Sequence, residues 1–348
     1  MKSFTKKFWN TLPDGRGVDL YTLTADDGAF VSIATLGGGL INLVVPDKEG
    51  HLGDCILGFD DPAAYTIPEN GYLGLLVGPY ANRIAKGQFY LNDKLYQLPI
   101  NDNGVNCLHG NGRFSMNLWE VKDVSDTQLT LTFFTPDMED GFPGNLTCTV
   151  TYTFTDDHVL SIEYAATTDQ DTFVNFTNHA YFNLACDDSL IHDHILQIDA
   201  DSYTELNEAN APTGAIKSVK ENPEFDFTAP KAIGQDIDAN QPDLNKARGY
   251  DHNFCLNHEQ DRLSKAAVCT DPKSGRTLEV WTTEPGMQVY TANFMPGIPG
   301  KYGYPVAVRR GVCFETQHYA DSPNQPDFPS TLLKAGETYL SKTEFRFI

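Results

Sequence analysis

From residue 146 to residue 155 the chain alternates without a break. Thr147, Thr149, Thr151, Thr153 and Thr155 fall on one side, with Leu146, Cys148, Val150, Tyr152 and Phe154 on the other. A period of two built from β-branched and aromatic residues predicts an extended strand with one wet face and one buried face. Asp156 and Asp157 interrupt the run, and Val159-Leu160-Ser161-Ile162-Glu163-Tyr164 resumes it, which reads as a hairpin. Residues 128–133 supply the preceding strand. Phe89-Tyr90-Leu91 and Leu95-Tyr96-Gln97-Leu98 form a second hairpin around Asn92-Asp93, and residues 277–283, 288–292 and 306–308 continue the pattern.

Helical signals are sparse. Asp61-Pro62-Ala63-Ala64-Tyr65 reads as one short helix, capped by Asp61 with Pro62 at its first position. No long amphipathic segment follows. Many short strands punctuated by 28 Gly and 20 Pro predict an all-β protein, a large antiparallel β-sandwich or barrel. No linker, repeat or composition shift divides residues 1–348, so a single domain is expected.

Charge narrows the partners. With 25 basic against 47 acidic side chains the net charge is −22, which repels phosphate backbones and anionic membranes. A nucleic-acid partner is therefore not expected, and a neutral small molecule meets no such barrier. Lys2, Lys6 and Lys7 have no apolar run behind them, so neither a signal peptide nor a transmembrane span is predicted. Seven scattered cysteines without a CxxC pair suggest reduced thiols and a cytoplasmic location.

Cofactor motifs do not emerge. Gly37-Gly38-Gly39 lacks the Lys-Ser/Thr of a phosphate loop, and no GxGxxG stands in a βαβ setting. A metal pair at His192 and His194 competes with an ordinary His/Asp-rich turn, and the turn is the expectation. No cofactor and no metal are predicted.

Two stretches combine polar residues with apolar surroundings. In Gly311-Val312-Cys313-Phe314-Glu315-Thr316-Gln317-His318-Tyr319 a strand puts Glu315 on one face with Cys313 and Gln317. A carboxylate there is either a buried structural acceptor or a general base with a raised pKa. In Thr177-Asn178-His179-Ala180-Tyr181-Phe182-Asn183-Leu184, an extended run puts His179 on a face with Thr177 and Tyr181. Taken singly, His179 reads as a core histidine and His109 or Asp251 as a turn residue. Arg83 reads as a surface cation and Gln288 as an edge residue. As a set with Asn82 they form a hydrogen-bonding kit for a neutral polyol, with Phe182, Tyr290 and Tyr319 available to stack on a sugar.

Those two stretches closely resemble the signature segments of the aldose 1-epimerase (galactose mutarotase) family. Tyr80-Ala81-Asn82-Arg83-Ile84, Leu108-His109-Gly110, Tyr250-Asp251-His252-Asn253-Phe254 and Glu284-Pro285-Gly286-Met287-Gln288-Val289-Tyr290 match in the family's order. The resemblance implies a β-sandwich with a broad concave face, and an isomerase that interconverts the α and β anomers of free aldoses such as galactose and glucose. It implies Glu315 as general base and His179 as general acid. His109 would polarise the sugar, and Asn82, Arg83, Asp251 and Gln288 would hold its hydroxyls. Pro79, where the family is expected to carry a second arginine, and Asn111, where it usually has glycine, depart from the pattern and put sugar preference in doubt. A sugar-binding protein without catalysis is one alternative. A glycoside hydrolase or lyase is another, with Glu315 and Asp251 as the two carboxylates a hydrolase would want.

Overall fold

The computed structural model describes residues 3–259 and 261–348; Lys2, one of the amino-terminal lysines, lies outside them. Its largest element is a nine-stranded antiparallel sheet. The alternating run forms strand Leu146–Phe154, paired on one side with Gln128–Thr135 and on the other with Val159–Thr168. Along it every even-numbered residue is buried, as the period of two requires. The second expected hairpin joins Gln88–Leu91 to Lys94–Gln97. Asn92 and Asp93 both take positive φ there, the geometry that closes a two-residue turn between twisted strands.

Helix is scarce, for the reason the sequence gives. Pro62–Thr66 is a 3₁₀ turn capped by the Asp61 carboxylate on the Ala63 N–H. Among the described residues the α-helix is the six-residue Pro242–Ala247, which no periodic pattern announces. None is long and apolar enough to cross a membrane.

A six-stranded sheet packs over the nine-stranded one. Its central strand, Val312–Gln317, lies between Tyr181–Phe182 and Gly286–Tyr290, with Asp251–Cys255 next in order. Val312, Phe314, Val289, Met287 and Phe254 point into the core shared with Val150, Ile162 and Phe345. Phe182 bridges the layers, 5.0 Å from Phe345 and 5.9 Å from Phe314. Truncating a fully buried ring such as Phe314 to alanine removes about 3–5 kcal/mol from a core of this kind.

The opposite face of the same strands carries the polar set. Register places Tyr181, Cys313, Tyr290 and Asp251 in one row across the sheet, and Glu315, Gln288 and Asn253 in the next. This face is covered by segments joining the sheets, so both faces of Val312–Gln317 are buried.

Candidate active site

A pocket of about 330 Å³ opens over that polar face. Asn82, Arg83, His109, His179, Asp251 and Glu315 all lie on its wall. Residues that looked like separate turns and surface groups in the sequence are thus brought to one place.

Glu315 sits at the pocket floor, 2 % exposed, and its Oε2 has no hydrogen-bond partner in the protein. Its Oε1 lies 3.6 Å from Nε2 of His179. Burial, reinforced by the Asp251 charge and opposed by Arg83, pushes the Glu315 carboxyl well above its ordinary range. Burial alone drives His179 down to about 4. Low dielectric penalises both charged forms, raising the proton affinity of Glu315 and lowering that of His179, so the two titrate as a pair that shares one proton.

His179 occupies the break between strands Thr177–Asn178 and Tyr181–Phe182. Its ring stacks on Tyr181 with centroids 5.1 Å apart. The Cys313 sulfur lies 3.5 Å from Nδ1. Burial and the neighbouring carboxylates keep that thiol protonated, so whenever the ring is neutral the S–H donates to Nδ1 and the ring's own proton stays on Nε2, toward Glu315. 

The second imidazole is fixed by backbone. The Asn82 N–H donates to Nδ1 of His109 at 3.2 Å, while the His109 N–H donates to the Asn82 carbonyl at 3.0 Å. Both residues take positive φ, a strained arrangement of the kind found where geometry serves a site. Burial, with His179 and Arg83 nearby, holds His109 well below its ordinary value. It is therefore a neutral ring with Nδ1 occupied as acceptor and an Nε2–H left to donate.

Arg83 is a buried cation between two carboxylates. Its Nε donates to Asp102 Oδ2 at 3.0 Å, and Nη1 lies 3.6 Å from Asp251 Oδ2. Gln288, read from the sequence as a sugar ligand, stands behind Asp251 instead. Its amide donates to Asp251 Oδ1 at 2.7 Å, and Gln288 itself is off the pocket wall.

Aromatic assignment changes as well. Tyr290 lines the pocket, but Phe182 points into the core and Tyr319 packs on Phe328. The rings at the site are Tyr72, Tyr181, Tyr290 and Phe294. Tyr72 meets His109 edge-on at 5.0 Å. The sequence reading missed Tyr72 and Asp102, which lie in loops without periodicity.

Of metal donors, His179, Cys313 and Glu315 offer ligand atoms within 4.8 Å of one another. The same atoms are committed to the imidazole–thiol contact and the shared proton, and the set includes a neutral thiol that a metal would have to deprotonate. His194 instead accepts the Leu184 N–H through Nε2, which fixes a turn. At the departures, the Asn111 amide donates to Asp140 at 2.8 Å. Pro79 packs so closely on Gly110 that a Cβ there would lie 2.6 Å from the proline ring.

The sequence matches the aldose 1-epimerase family over residues 19–346. The chain belongs to that family. It is 41 % identical to the galactose mutarotase of Bos taurus, over the whole chain and 99 % of that protein. It is 37 % identical to the aldose 1-epimerase of Escherichia coli K12, over 97 % of each. The crystal structure of a galactose 1-epimerase from Lactobacillus acidophilus superposes with a TM-score of 0.86, at 26 % identity over the whole chain and 99 % of its partner. An aldose epimerase homologue from C. elegans gives the same TM-score at 28 % identity, over 94 % of this chain and 98 % of that one. For this aldose 1-epimerase, the β-sandwich and the isomerase class expected from the sequence both hold.

Proposed function

We propose that the chain interconverts the α and β anomers of free aldohexoses such as galactose and glucose, with Glu315 as general base and His179 as general acid. The observation that carries this reading is the unpartnered Oε2 of Glu315, buried at the pocket floor beside the Nε2 of His179. A hemiacetal supplies what the pair lacks. Its C1 hydroxyl donates to Glu315, and its ring oxygen accepts from Nε2–H.

In the reactive state the pair's shared proton sits on His179 and Glu315 is ionised. Opening the ring moves the O1 proton to Glu315 and the Nε2 proton of the His179 imidazolium to the ring oxygen, as the C1–O5 bond breaks, and leaves a neutral imidazole. Rotation about C1–C2 turns the other carbonyl face inward, and the reversed transfers close the opposite anomer. Both reacting protons travel between oxygen or nitrogen lone pairs, so no hydride or carbanion carrier is needed. A pair that exchanges one proton in each direction suits a reaction run both ways. His109 donates through Nε2–H to a sugar oxygen near the ring, and Asn82, Arg83 and Asp251 bind the remaining hydroxyls.

A hydrolase would need Asp251 as a second free carboxyl across the bond. Instead Asp251 is held by Gln288 and Arg83. The deciding experiment is an NMR time course on free α-D-galactose and on both methyl galactoside anomers. The free sugar should equilibrate rapidly, and the glycosides, lacking the O1 proton, should remain unchanged. Methanol release beside a silent free sugar would overturn the assignment. Silence on every sugar despite binding would point to a sugar-binding protein.

A further inference from the structure

Away from the sugar pocket, two thiols meet. Cys55 and Cys186 are separated by 131 positions in sequence, yet their sulfurs lie 3.3 Å apart. Cys55 follows the last strand of the five-stranded amino-terminal sheet and is fully buried. Cys186 sits in the turn after strand Tyr181–Phe182 and is half-buried. The backbone between them is tightly coupled. Asn183 donates to the Cys55 carbonyl at 2.8 Å, and Leu57 donates to that of Tyr181 at 2.9 Å. Gly53 makes the approach possible, because a Cβ there would lie 2.8 Å from Cys186 Cβ and 2.9 Å from its sulfur.

We propose that Cys55 and Cys186 are a site of reversible covalent modification, an intramolecular disulfide formed by exchange with a low-molecular-weight disulfide. Cys186 lines a surface cleft of about 310 Å³ together with Lys48, Lys273 and Arg276. Asp47, Glu49 and Asp271 line the same cleft, so the charges balance and a small disulfide reaches the partly exposed sulfur by access rather than by attraction. The Arg276 guanidinium donates to the Leu184 carbonyl at 3.2 Å, the same oxygen that the Cys186 thiol faces at 3.7 Å.

Roles follow from access. The Cys186 thiolate attacks one sulfur of the small disulfide, breaks its S–S bond and releases one small thiolate. Burial pushes the Cys55 thiol well up, so it does not attack first. Once the mixed disulfide stands 3.3 Å away, Cys55 sulfur displaces the second small thiolate from Cys186. The proton of Cys55 passes to that leaving group. Two protein thiols are oxidised by two electrons, and one small disulfide is reduced to two thiols. The bond then closes a long loop between the amino-terminal sheet and the turn after Tyr181, which stabilises the fold by restricting the unfolded chain. Neither cysteine lies on the wall of the sugar pocket.

The test is incubation of the full chain with oxidised glutathione under native conditions, then alkylation and peptide mapping. The expected product carries a Cys55–Cys186 cross-linked peptide, with the other five of the seven cysteines alkylated. Its Tm should rise by several degrees and return with dithiothreitol. Cys186→Ser, at a half-buried position, should show neither the cross-link nor the shift. Gly53→Ala should slow cross-linking by displacing Cys186, without moving the reduced protein's sugar turnover. A persistent glutathione adduct on Cys186 with Cys55 alkylated would overturn the proposal. So would a different cysteine pair, or seven alkylated cysteines.

Discussion

The Cys313 sulfur lies 3.5 Å from Nδ1 of His179, on the strand that presents Glu315 two residues later. A weak neutral donor stands where a carboxylate would have held an imidazolium. Burial holds His179 down at about 4, so its imidazolium is a strong acid, and in the neutral ring the thiol's donation to Nδ1 leaves the remaining proton on Nε2. Cys313→Ala should lower kcat by about 3- to 10-fold, the scale of one lost hydrogen bond, with KM little changed. Cys313→Ser should recover most of the loss by restoring a donor. Equal kinetics in the alanine variant and the wild type would remove Cys313 from any positioning role.

Glu315→Gln keeps the side-chain shape and deletes the proton acceptor. Turnover should fall by at least ~10³-fold, while galactose binding followed by calorimetry persists. Retention of more than a tenth of the activity would remove Glu315 from the base role.

The pH profile should have two limbs, and they belong to the pair rather than to either residue. Below about 4 a second proton is added to the pair, His179 and Glu315 are both protonated, and no base remains. Above the raised pKa of Glu315 the shared proton is lost, and no acid remains. kcat/KM measured against pH should thus fall below about 4 and again on an alkaline limb that lies above the usual carboxylate range. A single acid limb near 6.5, the free histidine value, would contradict this coupling.

Reading strand parity was enough to find the architecture and the floor of the site. Leu146–Phe154 and Val312–Gln317 announce themselves by alternation, and alternation puts Glu315 beside Cys313. The same parity also warns against Phe182. If His179 and Tyr181 share the sugar face, the residue between Tyr181 and Asn183 must turn to the core, where Phe182 meets Phe345. Tyr319 could not be placed this way, because the chain leaves the strand after Gln317. Asp102 and Tyr72 were illegible for another reason. Their importance lies in contacts to Arg83 and His109, and no local period encodes a contact between loops.

Metal chemistry is tested directly. Dialysis against a chelator should leave the mutarotation rate unchanged, because the groups near Glu315 act as proton carriers. Added Zn²⁺ should inhibit, and galactose should compete with it, since His179, Cys313 and Glu315 fall within 4.8 Å of one another. A chelated enzyme that regains activity with metal would reverse this assignment.

Gln288 gives the sharpest test of how the binding wall is held. It lies directly opposite Glu315 across the strand pair, yet its amide donates diagonally to Asp251 Oδ1 at 2.7 Å. Without that donor, Asp251 would keep only the longer contact to Arg83 at 3.6 Å. Gln288→Leu should therefore raise KM for galactose by roughly tenfold, the cost of one charge-assisted hydrogen bond, and lower kcat less. Gln288→Glu separates positioning from bulk. In its protonated form the new carboxyl still donates to Asp251, so KM at low pH should approach the wild-type value. As pH rises through its pKa, the donor disappears and a third negative charge stands beside Asp251 and Glu315. KM should then climb steeply, a rise that the parent, with a neutral amide at this position, should not show. The measurement is KM against pH for both variants and the parent. A Gln288→Glu enzyme whose KM tracks the parent at every pH would show that Asp251 is held without Gln288.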